Sequence, residues 1–300
     1  MICDTVLTQQ NTSTPNISHI KRANSILTRA KKHSENVGLY FPKIKPPFVL
    51  DTVCDSSGAS TQSSYAQEAV LILLGPDGRI KVEATTSIHY QKVSNAKEQL
   101  SKFVHIIASL SHKAKRVSGS TSRAETLAGV VGKELAQMIA MRLTELFAPG
   151  ISLPMKQPAT MAMLIQIQDN AEFFVPIDHW TDCRDFFELS VGLKGVPQDR
   201  HQRLYVLSVR EDRLRGFIRR FFWCPTTAML CDGLTKSMTS EILYDLLTYG
   251  FWRFDDRNLG ALVATRDAPA ISVTEHDLIS MKPAWAESPS VCFVGLSTMD

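Results

Sequence analysis

The stretch Phe48-Val49-Leu50-Asp51-Thr52-Val53-Cys54-Asp55-Ser56-Ser57-Gly58 decides how the chain reads. Its aromatic and β-branched residues suit a pleated backbone, and Ser56-Ser57-Gly58 supplies the small residues of a turn. A strand therefore ends at a carboxylate, Asp55. Open α/β sheets gather their active sites at such strand ends.

The same reading extends outward. Ala66 to Leu74 is a second apolar strand, Pro76-Asp77-Gly78 a turn, and Arg79 to His89 alternates well enough for a third strand. A short helix over Asn95 to Lys102 and a strand from Val104 to Leu110 follow. After the Ser/Gly-rich Ser118 to Ser122, a helix runs from Arg123 to Phe147 with Leu127, Val130, Val131, Leu135, Ile139, Leu143 and Leu146 on one face. Glu125 falls in its first turn. Phe173 to Thr181 reads as a strand delivering Asp182, with a helix from Arg184. Gln198 to Leu214 is helical, Phe217 to Trp223 is a strand stopped at Pro225, and Ala228 to Lys236 and Glu241 to Tyr249 are closing helices. Strands alternating with helices place the chain in the α/β class.

Upstream, Ile20, Ala23, Ile26, Leu27 and Ala30 recur at helical spacing among Lys21, Arg22, Arg29, Lys31 and Lys32, which predicts a basic amphipathic helix ended by Pro42 to Pro47. The organisation expected is a disordered leader over 1–18, a linker helix over 19–47, the main domain over 48–254 and a weakly patterned extension over 255–300. There is no internal repeat.

With 300 residues, 44% hydrophobic and 21% charged, composition permits almost any globular function. The longest strongly apolar run, Ala69 to Leu74, falls far short of the ~20 residues of a membrane span. The start of the chain lacks the basic and apolar regions of a signal peptide. An intracellular protein without a membrane partner is expected, in a cytoplasmic particle or the nucleus. Cys3, Cys54, Cys183, Cys224, Cys231 and Cys292 make no C-x-x-C pair and read as reduced thiols, several of them buried. Net charge is only +3, but the basic residues are clustered.

Asp55, Glu125 and Asp182 fall at ends of predicted elements, and Asp232 lies near a helix start. Converging carboxylates can hold two Mg²⁺ ions about 4 Å apart that stabilise the attacking and leaving oxygens of phosphodiester hydrolysis. Magnesium prefers hard oxygen donors. Scattered acids alone carry little weight in a chain with 30 Asp and Glu, since most such groups are simply solvated.

The flanking residues add a resemblance. Lys115-Arg116-Val117-Ser118-Gly119-Ser120-Thr121-Ser122-Arg123-Ala124-Glu125-Thr126-Leu127-Ala128 resembles the K-R-V-x-x-S-T-x-A-A-E-x-x-A segment of copia-type retrotransposon ribonuclease H domains. Thr181-Asp182-Cys183-Arg184-Asp185-Phe186-Phe187 is similar to that family's T-D-C-x-S-L strand end. Trp223-Cys224-Pro225-Thr226-Thr227-Ala228-Met229-Leu230-Cys231-Asp232-Gly233-Leu234-Thr235-Lys236 resembles W-V-P-T-x-x-M-L-A-D-x-L-T-K, its most specific run, and Cys54-Asp55-Ser56-Ser57-Gly58-Ala59-Ser60 resembles C-D-A-S-x-A-S. Asp51 is the rival for the first carboxylate but lacks the small-residue turn. Ala23 to Lys32 with Leu39-Tyr40-Phe41-Pro42 looks like the remnant joining a reverse transcriptase to its ribonuclease H. No polymerase motif is present in the chain. The sequence departs from the family at Gly119, at Cys231 and in the long Asp77 to Lys102 connection.

The resemblance implies a ribonuclease H-like mixed five-stranded sheet with flanking helices. It implies Asp55, Glu125, Asp182 and Asp232 as catalytic and metal-holding residues for two Mg²⁺ ions, with Mn²⁺ as substitute, and hydrolysis of the RNA strand of RNA/DNA hybrids. The hybrid and the rest of a retrotransposon polyprotein would be the partners. A degenerate ribonuclease H-like remnant that binds nucleic acid or protein without cutting is the alternative. An integrase or transposase is a third reading, opposed by the W-C-P-T and L-T-K run and by Glu125 within S-T-S-R-A-E.

Further residues carry two readings each. Lys113, Lys115, Arg116 and Arg123 are candidates for hybrid phosphates, as are Arg210, Arg213, Arg215, Arg219 and Arg220, against solvated basic faces. His112 and His179 are candidate proton carriers or structural histidines. Trp180 and Trp223 suit base stacking or, more commonly, core packing. Strand alternation turns Cys54 and Cys183 away from the carboxylates beside them, which reads as buried and unreactive.

Overall fold

The computed structural model describes residues 16–33, 39–57, 65–83, 88–114, 120–147, 165, 169, 173–236, 240–254 and 261–265. In chain order the elements are α1 (Ile17–His33), β1 (Phe48–Ser57), β2 (Gln67–Pro76), β3 (Gln91–Lys92), α2 (Ala96–Leu100), β4 (Lys102–Phe103), β5 (His105–Lys113) and α3 (Thr121–Phe147). Then come β6 (Ile177–Thr181), α4 (Arg184–Val191), α5 (Arg200–Arg215), β7 (Arg220–Trp223), α6 (Asp232–Thr235), α7 (Glu241–Tyr249), β8 (Phe251–Trp252) and β9 (Leu262–Thr265).

The chain is α/β, with a mixed seven-stranded sheet in the order β3-β9-β7-β6-β1-β2-β5 and a separate β4-β8 pair. β1 pairs antiparallel with β2, and β2 with β5, while β1-β6 and β6-β7 are parallel. Seven strands replace the five expected. The two extra strands, β9 and β3, extend the sheet beyond β7 in antiparallel pairing. With four and two residues they are too short for a hydrophobic period to show. β9 also lies within the stretch read as an extension, so the sheet does not end at residue 254. Arg79 to His89 is not a strand over its described residues: Val82 makes one isolated bridge to Val93. Its alternation has another cause, since Ile80 and Val82 pack on the core without joining a ladder.

α3 covers one face of the sheet. Leu50, Cys54, Val70 and Ile72 pack there against Ala128, Ala136 and Ala140. Gly132 permits the close approach, because a Cβ at that position would overlap the Cys54 sulfur. Glu125 lies seven residues earlier, on the same helical face, and is thereby brought to the end of β1. The helix starts at Thr121, so Glu125 lies just past its first turn. On the other sheet face Val53, Leu71, Trp180 and Phe222 pack with Leu234, Leu243, Leu246 and Trp252. Phe186, Phe187, Val209 and Phe221 join α4 and α5 to the sheet. Among the described residues no helix is long and apolar enough to cross a membrane.

Candidate metal centre

Because β1 and β6 are adjacent and parallel, their carboxyl ends lie side by side. Asp55 sits near the end of β1, and Asp182 follows the last residue of β6. Asp232 arrives from the Pro225-Thr226 turn as the first residue of α6, which the Cys231 thiol ties to the sheet by donating to the Val53 carbonyl at 3.1 Å. Ligand oxygens of Asp55, Asp182 and Asp232 all lie within 4.8 Å of one another. Asp55 and Asp232 are buried and Asp182 is partly buried.

Glu125 stands beside this trio without belonging to the 4.8 Å group. It is buried, accepts the Ser56 backbone N–H at 3.1 Å, and feels the charges of Asp55 and Asp182. The site's other polar groups hold the carboxylates in place. Thr235 Oγ1 donates to Asp55 Oδ2 at 2.5 Å, Thr226 hydrogen-bonds the Asp182 side chain, and Lys236 pairs with Asp232 Oδ1. The Trp223 indole N–H donates to the Asp182 carbonyl at 2.8 Å.

Removal from water raises the pKa values of Asp55, Asp182 and Glu125. Burial pushes Asp55 up to about 6, with the charges of Asp182 and Asp232 adding to the rise and the Thr235 hydrogen bond and Lys236 opposing it. Asp182 is raised first by burial, against the Thr226 hydrogen bond. Glu125 is pushed well above its ordinary value by burial and then by Asp55 and Asp182. Carboxylates that ionise reluctantly together are stabilised by a cation among them. Oxygen-only donors suit Mg²⁺ or Mn²⁺, so the residues fit a hard divalent ion. The neighbouring thiols add no thiolate, because burial raises Cys54, Cys224 and Cys231 well above their ordinary value.

Other candidates fall elsewhere. Asp51 is fully buried four residues before Asp55, paired with Lys102 Nζ at 2.6 Å and accepting the Trp180 indole N–H at 2.9 Å. Lys113 is exposed, with its ammonium 4.4 Å from the Tyr65 ring centre. Lys115 and Arg116 lie outside the described residues. Arg123 pairs with Asp199 at 3.5 Å, which links the start of α3 to the cap of α5.

Each arginine of the second basic cluster has a partner within the fold. Arg219 and Arg220 clamp Asp77 and Asp178, at the opposite end of β6 from Asp182. Arg210 donates to the Leu189 and Lys194 carbonyls, and the buried Arg213 to Ser190 and Thr265. Arg215 pairs with Glu211 at 3.6 Å. Apart from Glu211, which shares α5 with Arg215, these partners come from outside the charge run, which cannot reveal them.

His179 is fully buried and stacked on Phe221 at 5.0 Å, which removes it from proton transfer at the site. His112 Nε2 lies 3.3 Å from Glu68 Oε2 across β2 and β5. Trp180 is core, stacked on Phe222 at 3.9 Å. Cys54 is buried as expected, whereas Cys183 is only partly so; burial still pushes its thiol up to about 12. Sequence reasoning passed over Thr226, Thr235 and Lys236, although the four-residue spacing of Asp232 and Lys236 is that of a helical ion pair.

No family model, curated protein or solved structure matches the chain.

Proposed function

We propose that the chain is a metal-dependent phosphodiester hydrolase of ribonuclease H type, cutting the RNA strand of RNA/DNA hybrids as part of a copia-type retrotransposon polyprotein. The observation that carries the reading is the convergence of Asp55, Asp182 and Asp232 within 4.8 Å, with Glu125 adjoining. These four carboxylates also occupy the motif positions of the resemblance. A mixed sheet flanked by helices, with β1 at the centre of the five strands β7-β6-β1-β2-β5, supports the same reading.

Divalent ions held there would supply an activated water and neutralise charge on the leaving oxygen. Asp55, Asp182 and Asp232 would hold them, with Glu125 completing the donor set. Thr235, Thr226 and the Ser56 amide fix the carboxylates in position, which lowers the cost of organising the site. On the rim, Lys113 and Arg123 are the described basic side chains proposed to meet hybrid phosphates, a contact that gives affinity without sequence preference.

The test is Mg²⁺-dependent cleavage of a labelled RNA/DNA hybrid by the purified chain beside its Asp182→Asn variant, with single-stranded RNA and duplex DNA as controls. Hybrid-selective cutting that disappears in the variant is expected. Hybrid binding without cutting would replace the nuclease by the degenerate binding scaffold.

A further inference from the structure

The carboxylate trio already has one cation beside it, supplied by the chain. Lys236 lies one helical turn after Asp232, and its ammonium pairs with Asp232 Oδ1. The side chain is 40% exposed, so its stem reaches the site from the solvent side. Asp55 and Asp182 act on it too: although burial opposes its charge, the Asp232 hydrogen bond and all three carboxylates favour the ammonium. Among the described residues, no other Lys or Arg forms an ion pair with Asp55, Asp182 or Asp232.

Like charges this close repel strongly once they are partly removed from water, and a neighbouring positive charge offsets the repulsion. The Asp232-Lys236 spacing fixes that positive charge by covalent connection, so it is present at every metal concentration. We propose that Lys236 is the resident counter-ion of the trio and competes with divalent metal for it. Its ammonium offsets part of the site's negative charge in the metal-free chain and leaves Asp232 when a divalent ion binds. The competition rests on the metal-dependent reading above, whereas the charge pairing does not.

Two measurements on the full 300-residue chain test this, each on wild type, Lys236→Met and Lys236→Arg. Mn²⁺ binding at pH 7.5 is read from the free-ion electron paramagnetic resonance signal, with Mg²⁺ as competitor. Urea unfolding in EDTA is followed by circular dichroism. Lys236→Met is expected to bind Mn²⁺ about fivefold more tightly, the factor for losing one partly screened ion pair. It should also unfold at lower urea in EDTA, with Lys236→Arg close to wild type in both assays. Equal or weaker Mn²⁺ binding by Lys236→Met overturns the competition, and an unchanged urea midpoint overturns the counter-ion. Matching losses in Met and Arg would mean that shape, not charge, matters, and would overturn both. If none of the three chains binds either ion, the metal-dependent reading and the competition fall together, while the EDTA midpoints still decide the charge pairing.

Discussion

Replacing Asp55 by asparagine should make the metal-free protein more stable. Asp55 is 2% exposed, and its carboxyl is moved from the ordinary 3.8 to about 6, with burial the largest cause. Such a displacement corresponds to about 3 kcal/mol of disfavoured ionisation at neutral pH. Asparagine keeps the shape, can still accept from Thr235 through its carbonyl, and can turn its amide toward the remaining carboxylates. Burying an amide gives back part of the benefit, leaving a net gain of about 1–3 kcal/mol.

The sign follows from the direction of the shift. A folded-state value raised above the unfolded one contributes stability that is fully present below about pH 4 and is lost as pH rises through about 6. The advantage of Asp55→Asn is therefore absent near pH 4 and complete above pH 7. Urea unfolding in EDTA at both pH values measures it. Added Mg²⁺ should stabilise wild type by mass action and the variant much less. A variant less stable than wild type at pH 7.5, or equally advantaged at pH 4, would refute the reasoning.

Three other substitutions probe the scaffold. Gly132→Ala should cost about 1–3 kcal/mol by crowding Cys54, despite the better helix propensity of alanine, and Cys54→Ala in the same chain should recover most of it; additive losses in a urea double-mutant cycle would contradict the packing. Lys102→Met should destabilise by about 3–5 kcal/mol because it strands the buried Asp51, and thermal unfolding of an Asp51→Asn, Lys102→Met double variant should show a smaller loss. Burial lowers the His179 value to about 3, so the unfolded chain takes up a proton that the folded one refuses, and stability falls by up to about 1.4 kcal/mol per pH unit as pH drops from ~6.5 toward 3. His179→Leu should flatten that part of the pH profile in urea unfolding, and an unchanged slope would count against the buried neutral ring.

What the sequence made legible was whatever rests on local pattern. β1, β2, α3, α5 and α7 declare themselves by period and by their turns, and Asp55 and Asp182 stand at strand ends that can be read in advance. Asp232 was placed by its flanking run, and its apposition to Asp55 depends on the Pro225 turn carrying the chain back over β1. β3 and β9 were not legible, because short strands at a sheet edge are held by backbone pairing that leaves little trace in side chains. Arg219 and Arg220 read as free positive charge only because Asp77, one of their partners, lies in a distant turn. Thr235 was invisible as a support for Asp55 for the same reason: 180 residues separate them.

The strand β9 bears on how the molecule can be divided and on the order in which it can be completed. A fragment stopped at residue 254 would leave the outer edge of β7, Arg220 to Trp223, with open backbone donors and acceptors, and the Arg213 side chain would lose the Thr265 carbonyl. Bare edges of this kind recruit strands from other molecules, so that fragment should be sticky where one reaching Thr265 is not. On the ribosome the same gap persists until the last of these residues emerges, so the sheet's outer edge is closed only after all its inner strands are in place.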